Sequence, residues 1–214
     1  MNIRIVKKQR YEAIWAVPLS GMGHIADEQP MPYIHSMGVE LTPRFGGEDV
    51  TFSDLPLPYG YIKGSWPAQQ RIFNLFRKRV NIYWREMFNS FNRKDKAYYI
   101  YQQCDFIGKE NGYVGESPLV YFERLFTYNE NCIEVSDFIK FKRRVAFSKF
   151  VFCSYSINAE NKIKITASEK TNHEVSFSSS TGESKTIGKM LKDVEFEPGD
   201  TLECQYRYLL ELRN

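Results

Sequence analysis

Two of the chain's three histidines, His24 and His35, sit in one stretch that reads Gly21-Met22-Gly23-His24, then Asp27 and Glu28, then Tyr33-Ile34-His35, with Glu40 just beyond. Imidazole and carboxylate groups gathered in one segment can hold a divalent metal or trade protons with a substrate near neutral pH. His35, His24, Tyr33 and Glu40 are therefore the catalytic candidates, and His24, His35 and Glu28 the candidate metal ligands. Their spacing matches no standard zinc signature, and a metal would need a further ligand from elsewhere in the fold. On that account no cofactor is expected, a divalent metal being the one alternative. Loop packing and hydrogen bonding are the plainer role for these side chains.

A second set is aromatic and basic: Trp15, Tyr33, Arg44, Tyr59, Tyr61 and Trp66. Sugar rings present apolar C–H faces that stack on aromatic rings, while Arg and carboxylates bind hydroxyls and acidic groups. Arg44, Trp66, Tyr61 and Tyr59 are the ligand-binding candidates in a glycan reading. Aromatics in a β-rich chain also build the core, and exposure decides between the two. No Walker loop, GxGxxG, GxSxG or HExxH motif occurs, so phosphate-cradling, Rossmann, α/β-hydrolase and zincin readings have no support. A carboxylate pair for glycoside hydrolysis needs neighbours in space only, and no Glu or Asp here has a distinguishing context.

The elements that must position these residues are mostly strands. Aromatics make up 15% of the 214 residues, which favours strands over helices, and the length suits one domain over 1–214. In the second half apolar and polar residues alternate at period two: Leu202, Cys204, Tyr206, Tyr208, Leu210 and Leu212; Ile163, Ile165 and Ala167; Val175, Phe177 and Ser179. Turn signals separate them at Asn129-Glu130-Asn131, 158–161, Thr181-Gly182 and Glu197-Pro198-Gly199-Asp200. Ile133, Val135, Ile139 and Phe141 share one strand face that Asp137 interrupts; an inward carboxylate there must be hydrogen-bonded or sit at a bulge. The run Phe150-Val151-Phe152-Cys153 reads as a strand covered on two sides. In the first third, strands are expected at 3–6, 12–17, 39–45 and 49–52, with a long connection at 21–36 between them. One segment breaks the pattern: Ile72, Phe76, Val80, Tyr83, Met87 and Phe91 recur at helical steps behind Ser65 and Pro67, which predicts an amphipathic helix over about 67–91, against a weaker period-two reading through Val80, Ile82 and Trp84. The fold class expected is mainly β, a large two-sheet antiparallel sandwich with one helix.

The formal net charge is +3 with both signs interspersed, so a nucleic-acid partner is not expected. The basic runs 77–79 and 140–144 read as solvated faces. Cys104, Cys132, Cys153 and Cys204 lie far apart in strand-like runs and read as buried free thiols. No apolar run reaches the length of a membrane span. A chain complete as written would be cytoplasmic; a piece of an exported protein would follow its parent.

The run Tyr121-Phe122-Glu123-Arg124-Leu125-Phe126-Thr127-Tyr128, then Cys132-Ile133-Glu134-Val135-Ser136-Asp137-Phe138-Ile139-Lys140-Phe141, resembles a strand pair in the carboxy-terminal β-sandwich of heparinase II/III-like polysaccharide lyases. The opening, with Lys8 and Tyr11 to Trp15 leading through His24 to 33–36, is similar in style to the start of such sandwiches. The resemblance implies a large two-sheet sandwich whose usual partner is an α/α toroid bearing much of the catalytic cleft, with the sandwich contributing a histidine or a structural metal site, here at His24 or His35. The 214 residues hold no toroid, and a helix at 67–91 would stand where the family has strands. The expected function is a module that binds or helps to process an acidic polysaccharide, accessory to a catalytic domain or subunit. The alternatives are a protein-interaction domain, docking through the aromatic helix, and a stand-alone polysaccharide lyase or hydrolase using His35 or His24 with Tyr33 and Glu40.

Overall fold

The structure is a computed structural model and describes residues 3–18, 31–36, 38–40, 57–63, 96–158, 163–170, 176–178 and 184–210. Among them the strands are Ile3–Lys7 (β1), Glu12–Ala16 (β2), Tyr33–Ser36 (β3), Val39–Glu40 (β4), Tyr59–Ile62 (β5), Lys96–Tyr99 (β6), Asp105–Lys109 (β7), Gly112–Glu116 (β8), Val120–Tyr128 (β9), Cys132–Phe141 (β10), Val145–Asn158 (β11), Ile163–Lys170 (β12), Ser176–Ser178 (β13), Ser184–Phe196 (β14) and Thr201–Leu210 (β15). One short helix, Ile100–Gln103 (α1), links β6 to β7. The helix expected over about 67–91 lies outside the described residues.

The strands form three sheets, each paired antiparallel: β1-β2-β3-β4, β13-β14-β11-β5-β6, and β12-β15-β10-β9-β8-β7. The mainly-β sandwich expected from the alternation is present, and the four-stranded sheet is an addition to the two layers. On β9 and β10 the inward residues are Val120, Phe122, Arg124 and Phe126, and Ile133, Val135, Asp137, Ile139 and Phe141. Phe141 meets the five-stranded sheet, stacked on Phe196 at 3.9 Å and edge-on to Phe147 and Phe150. Trp15 of the four-stranded sheet packs 5.0 Å from Phe126 and 6.2 Å from Tyr113. One continuous core cluster thus draws residues from all three sheets.

The turn chemistry follows the sequence signals. Asn129 N–H bonds Cys132 O at 2.9 Å to close the β9–β10 hairpin. Between β14 and β15, Gly199 takes φ of 101°, open to glycine at no steric cost, while Glu197 N–H donates to Asp200 Oδ2 at 2.7 Å. Phe150 and Val151, on opposite faces of β11, are both buried, and β11 slips register between Val151 and Cys153, which marks a bulge; the side chains of 152 and 153 lie outside the described ones.

Asp137 is satisfied by an ion pair in place of a bulge. Arg124 donates from Nε to Oδ1 and from Nη2 to Oδ2, both at 2.6 Å, and from Nη1 to the Tyr113 hydroxyl at 3.2 Å. Burial pushes the Asp137 carboxyl up from its ordinary value, against the pull of the guanidinium. Register makes the pair, since Arg124 stands directly opposite Asp137 on the neighbouring strand.

Two expectations need correction, and a third choice, between core and ligand surface for Trp15, is decided. The connection expected at 21–36 ends in a strand, because Tyr33, Ile34, His35 and Ser36 alternate outward and inward against β2. Cys104 follows α1 and is not in a strand, although it is a buried free thiol like Cys204; Cys132 is free but half-buried. Trp15 is wholly buried and belongs to the core, not to a ligand surface. No helix among the described residues is long and apolar enough to cross a membrane.

Candidate functional site

Sheet pairing sorts the candidate residues into two rows on two outward faces. The first crosses the four-stranded sheet, where Lys7 stands opposite Glu12, Glu12 opposite His35, and His35 opposite Glu40. Glu12 accepts from Lys7 Nζ at 2.8 Å and holds His35 Nε2 at 3.0 Å. The hydrogen bond to Lys7 holds the Glu12 carboxyl below its ordinary value, and the same bond raises Lys7. Nε2 must bear the proton that bonds a carboxylate, which leaves the lone pair of a neutral imidazole on Nδ1. The Tyr33 ring lies 5.9 Å from the imidazole. This row can pass or accept a proton at His35, yet its central carboxylate is already engaged by both neighbours, Lys7 and His35. Among the described residues, no group of three or more His, Cys, Asp or Glu is gathered to hold a metal.

The second row crosses the five-stranded sheet. Gly60 and Ile62 of β5 are buried in the core, while Tyr59 and Tyr61 lie on the other side of the strand and are half-buried, Tyr59 and the neighbouring Tyr99 resting partly against the core cluster. Gly60 is required there: an added Cβ would stand 2.8 Å from the rings of Phe147 and Phe150. Tyr59 pairs with Tyr99 on β6, their rings stacked at 5.9 Å and 25°. Burial, with Tyr61 beside it, raises Tyr59, which therefore stays a neutral hydroxyl donor at physiological pH. On the other side Tyr61 stands opposite Lys149, and Lys149 opposite Lys192 of β14.

The nearby carboxylates among the described residues are engaged elsewhere. Asp193, with φ of 50°, turns to Lys63 at 2.6 Å, and Glu195 pairs with Arg144. Neither Lys149 nor Lys192 has an ion pair among the described residues. Like charges directly opposite each other on one sheet face repel. Among the described residues, three half-buried tyrosines stand beside a lysine pair with no counter-charge, a surface suited to an anionic, ring-bearing ligand.

No protein-family model and no curated protein matches this sequence. The geometry of the chain itself has to bear the functional argument.

Of the residues singled out from sequence, Tyr33 and His35 share the first face with the backbone of Glu40, and Tyr59 and Tyr61 share the second. The two sets belong to different sheets. His24, Glu28, Arg44 and Trp66 lie outside the described residues. Sequence reasoning missed Lys7, Glu12, Tyr99, Lys149 and Lys192. The first two were within reach, because a hairpin turn over 8–11 puts positions 7 and 12 opposite each other. The other three depend on which strands of the five-stranded sheet are neighbours, which local pattern does not report.

Proposed function

We propose that this chain is a β-sandwich module that binds an acidic polysaccharide, and that the face bearing Tyr59, Tyr61, Tyr99, Lys149 and Lys192 is its binding surface. The observation that supports this reading is the lysine pair that, among the described residues, has no counter-charge beside the tyrosines. Residues two apart on a strand stand about 7 Å apart on one face, so Tyr59 and Tyr61 offer successive stacking positions. The Tyr59–Tyr99 pair widens the platform sideways. Lysine ammonium groups then meet carboxylate or sulfate substituents, and a bound anion removes the repulsion between the two strands.

The test is a thermal-shift and calorimetric titration with uronate-bearing or sulfated oligosaccharides, against neutral oligosaccharides of equal length. A ligand at 100 times its Kd stabilises the native state by about 2.7 kcal/mol. Acidic sugars should raise Tm, salt should weaken the effect, and Tyr61→Ala or the pair Lys149→Ala, Lys192→Ala should abolish it while keeping the free protein folded. Equal response to neutral sugars, or full response in those variants, would overturn the assignment.

A further inference from the structure

Strand β1 forms one edge of the four-stranded sheet, and β2 is its only partner among the described residues. The bond from Lys8 N–H to Tyr11 O, 2.9 Å, fixes the alternation of that ladder. With Lys7 opposite Glu12, positions 8, 6 and 4 bond across to β2, while Ile3, Ile5 and Lys7 aim their N–H and C=O groups at the open side. The side chains along this edge are also uncovered: Ile3 is 47% and Ile5 57% exposed, and Arg4 and Lys7 are exposed beside them. Val6 alone of the strand packs against the core.

An open strand edge with exposed isoleucines is a template for another strand, and native proteins blunt such edges with proline, a bulge or an inward charge. Ile3–Lys7 has no proline and its register with β2 is unbroken; its charges are all of one sign, Arg4 on the face of Val6 and Lys7 taken up by Glu12 on its own sheet, so they deter a like-charged strand and not an acidic one. Charge then selects the occupant. Residues 3–10 read IRIVKKQR, with four basic side chains and no acidic one. A second copy of β1 would set this basic stretch against itself, whereas an acidic strand would be drawn in. Arg4 and Lys8 lie on the face opposite Ile3 and Ile5 and have no ion pair among the described residues.

We propose that β1 accepts an extended segment of a partner protein in which apolar and acidic residues alternate, by addition of a fifth strand to this sheet. Backbone bonds form to Ile3, Ile5 and Lys7; the apolar side chains cover Ile3 and Ile5 on the outer face, and the carboxylates reach Arg4 and Lys8. This surface is independent of the saccharide face on the five-stranded sheet.

The probe is a labelled eight-residue peptide alternating valine with glutamate, read by fluorescence anisotropy and by amide hydrogen exchange of the protein. Saturable binding is expected, with exchange slowed at the Ile5 and Lys7 amides. Affinity should fall at least tenfold for the same peptide with lysine in place of glutamate, for one methylated on its backbone nitrogens, and for the Arg4→Glu variant. Lys149→Ala should bind the peptide unchanged. Absence of binding, equal binding of the lysine or methylated peptide, or unchanged exchange at those two amides would overturn the proposal. Protection that grows with protein concentration and no peptide would assign the edge to a second copy and overturn it equally.

Discussion

Replacing Asp137 with alanine strips the buried Arg124 of both of its 2.6 Å acceptors on that carboxylate. The side chains are 2% and 1% exposed, so water does not take over those bonds. Removing one partner of a buried ion pair costs about 3–5 kcal/mol, because the remaining charge keeps its desolvation penalty. With a urea m value of about 2–3 kcal/mol/M, the unfolding midpoint should fall by about 1–2 M. The reciprocal change, Arg124→Met, differs in its pH dependence. Burial already holds the Asp137 carboxyl above its usual value of 3.8, and loss of the guanidinium moves it further up. A carboxyl whose folded pKa stands above its unfolded one adds stability in full below the unfolded value and loses it as pH rises through the folded value. The deficit of Arg124→Met should therefore narrow as pH falls from neutral, while that of Asp137→Ala should not, since arginine keeps its charge throughout. Arg124→Met with Asp137→Leu should return to within about 1 kcal/mol of the parent or exceed it. A cost below about 1 kcal/mol for Asp137→Ala, or a double variant as unstable as the singles, would refute this account of the core.

Three further outcomes follow from single contacts. Gly112→Ala, at φ of 149° and with a Cβ that would stand 2.0 Å from Arg124 O, should cost about 2 kcal/mol or more in the same urea assay, and a neutral result would contradict the close approach of β8 to β9. Tyr128→Phe removes a buried hydroxyl whose interaction with the buried Trp15 indole N–H falls short of full hydrogen-bond geometry, so stability should change by less than about 1 kcal/mol; a loss of about 2 kcal/mol or more would show that the two are bonded. The Glu12 carboxyl should titrate below its usual 4.5 by carbon-detected NMR and move upward in Lys7→Met; its contribution to stability is present above the unfolded value and fades as pH drops through the lowered folded one. An unchanged midpoint in Lys7→Met would remove Lys7 as the cause.

The strands of the second half were legible because each buries one face, so period two had to appear in the sequence. Asp137 was legible for the same reason: a carboxylate at an inward position demands a partner. Its partner, Arg124, was not singled out, because a strand's register with its neighbour is set by the hairpin that joins them. The strand at 33–36 was hidden by its brevity, since four residues give only two alternations and the glycines and prolines upstream suggest a loop. The tyrosine and lysine face was beyond local reading. Tyr61 and Lys149 are 88 positions apart, and only the insertion of β11 between β5 and β14 brings Lys149 beside both Tyr61 and Lys192.

The division between the two outward rows follows from how each settles its charge. In the four-stranded sheet, Lys7, Glu12 and His35 alternate in sign across successive strands once His35 is protonated, and each cation has a carboxylate beside it. Such a row joins strands and has little left to offer a ligand. In the five-stranded sheet the adjacent acids turn away to Lys63 and Arg144, and the strands meet as lysine against lysine. Asp193, whose carboxylate pairs with Lys63, also holds a positive φ, in a region that a non-glycine residue occupies at a cost of order 1–3 kcal/mol. A local backbone cost and a like-charge pair at the same place both weaken the free fold. They become intelligible together if the face is completed by an anion that the described residues do not supply.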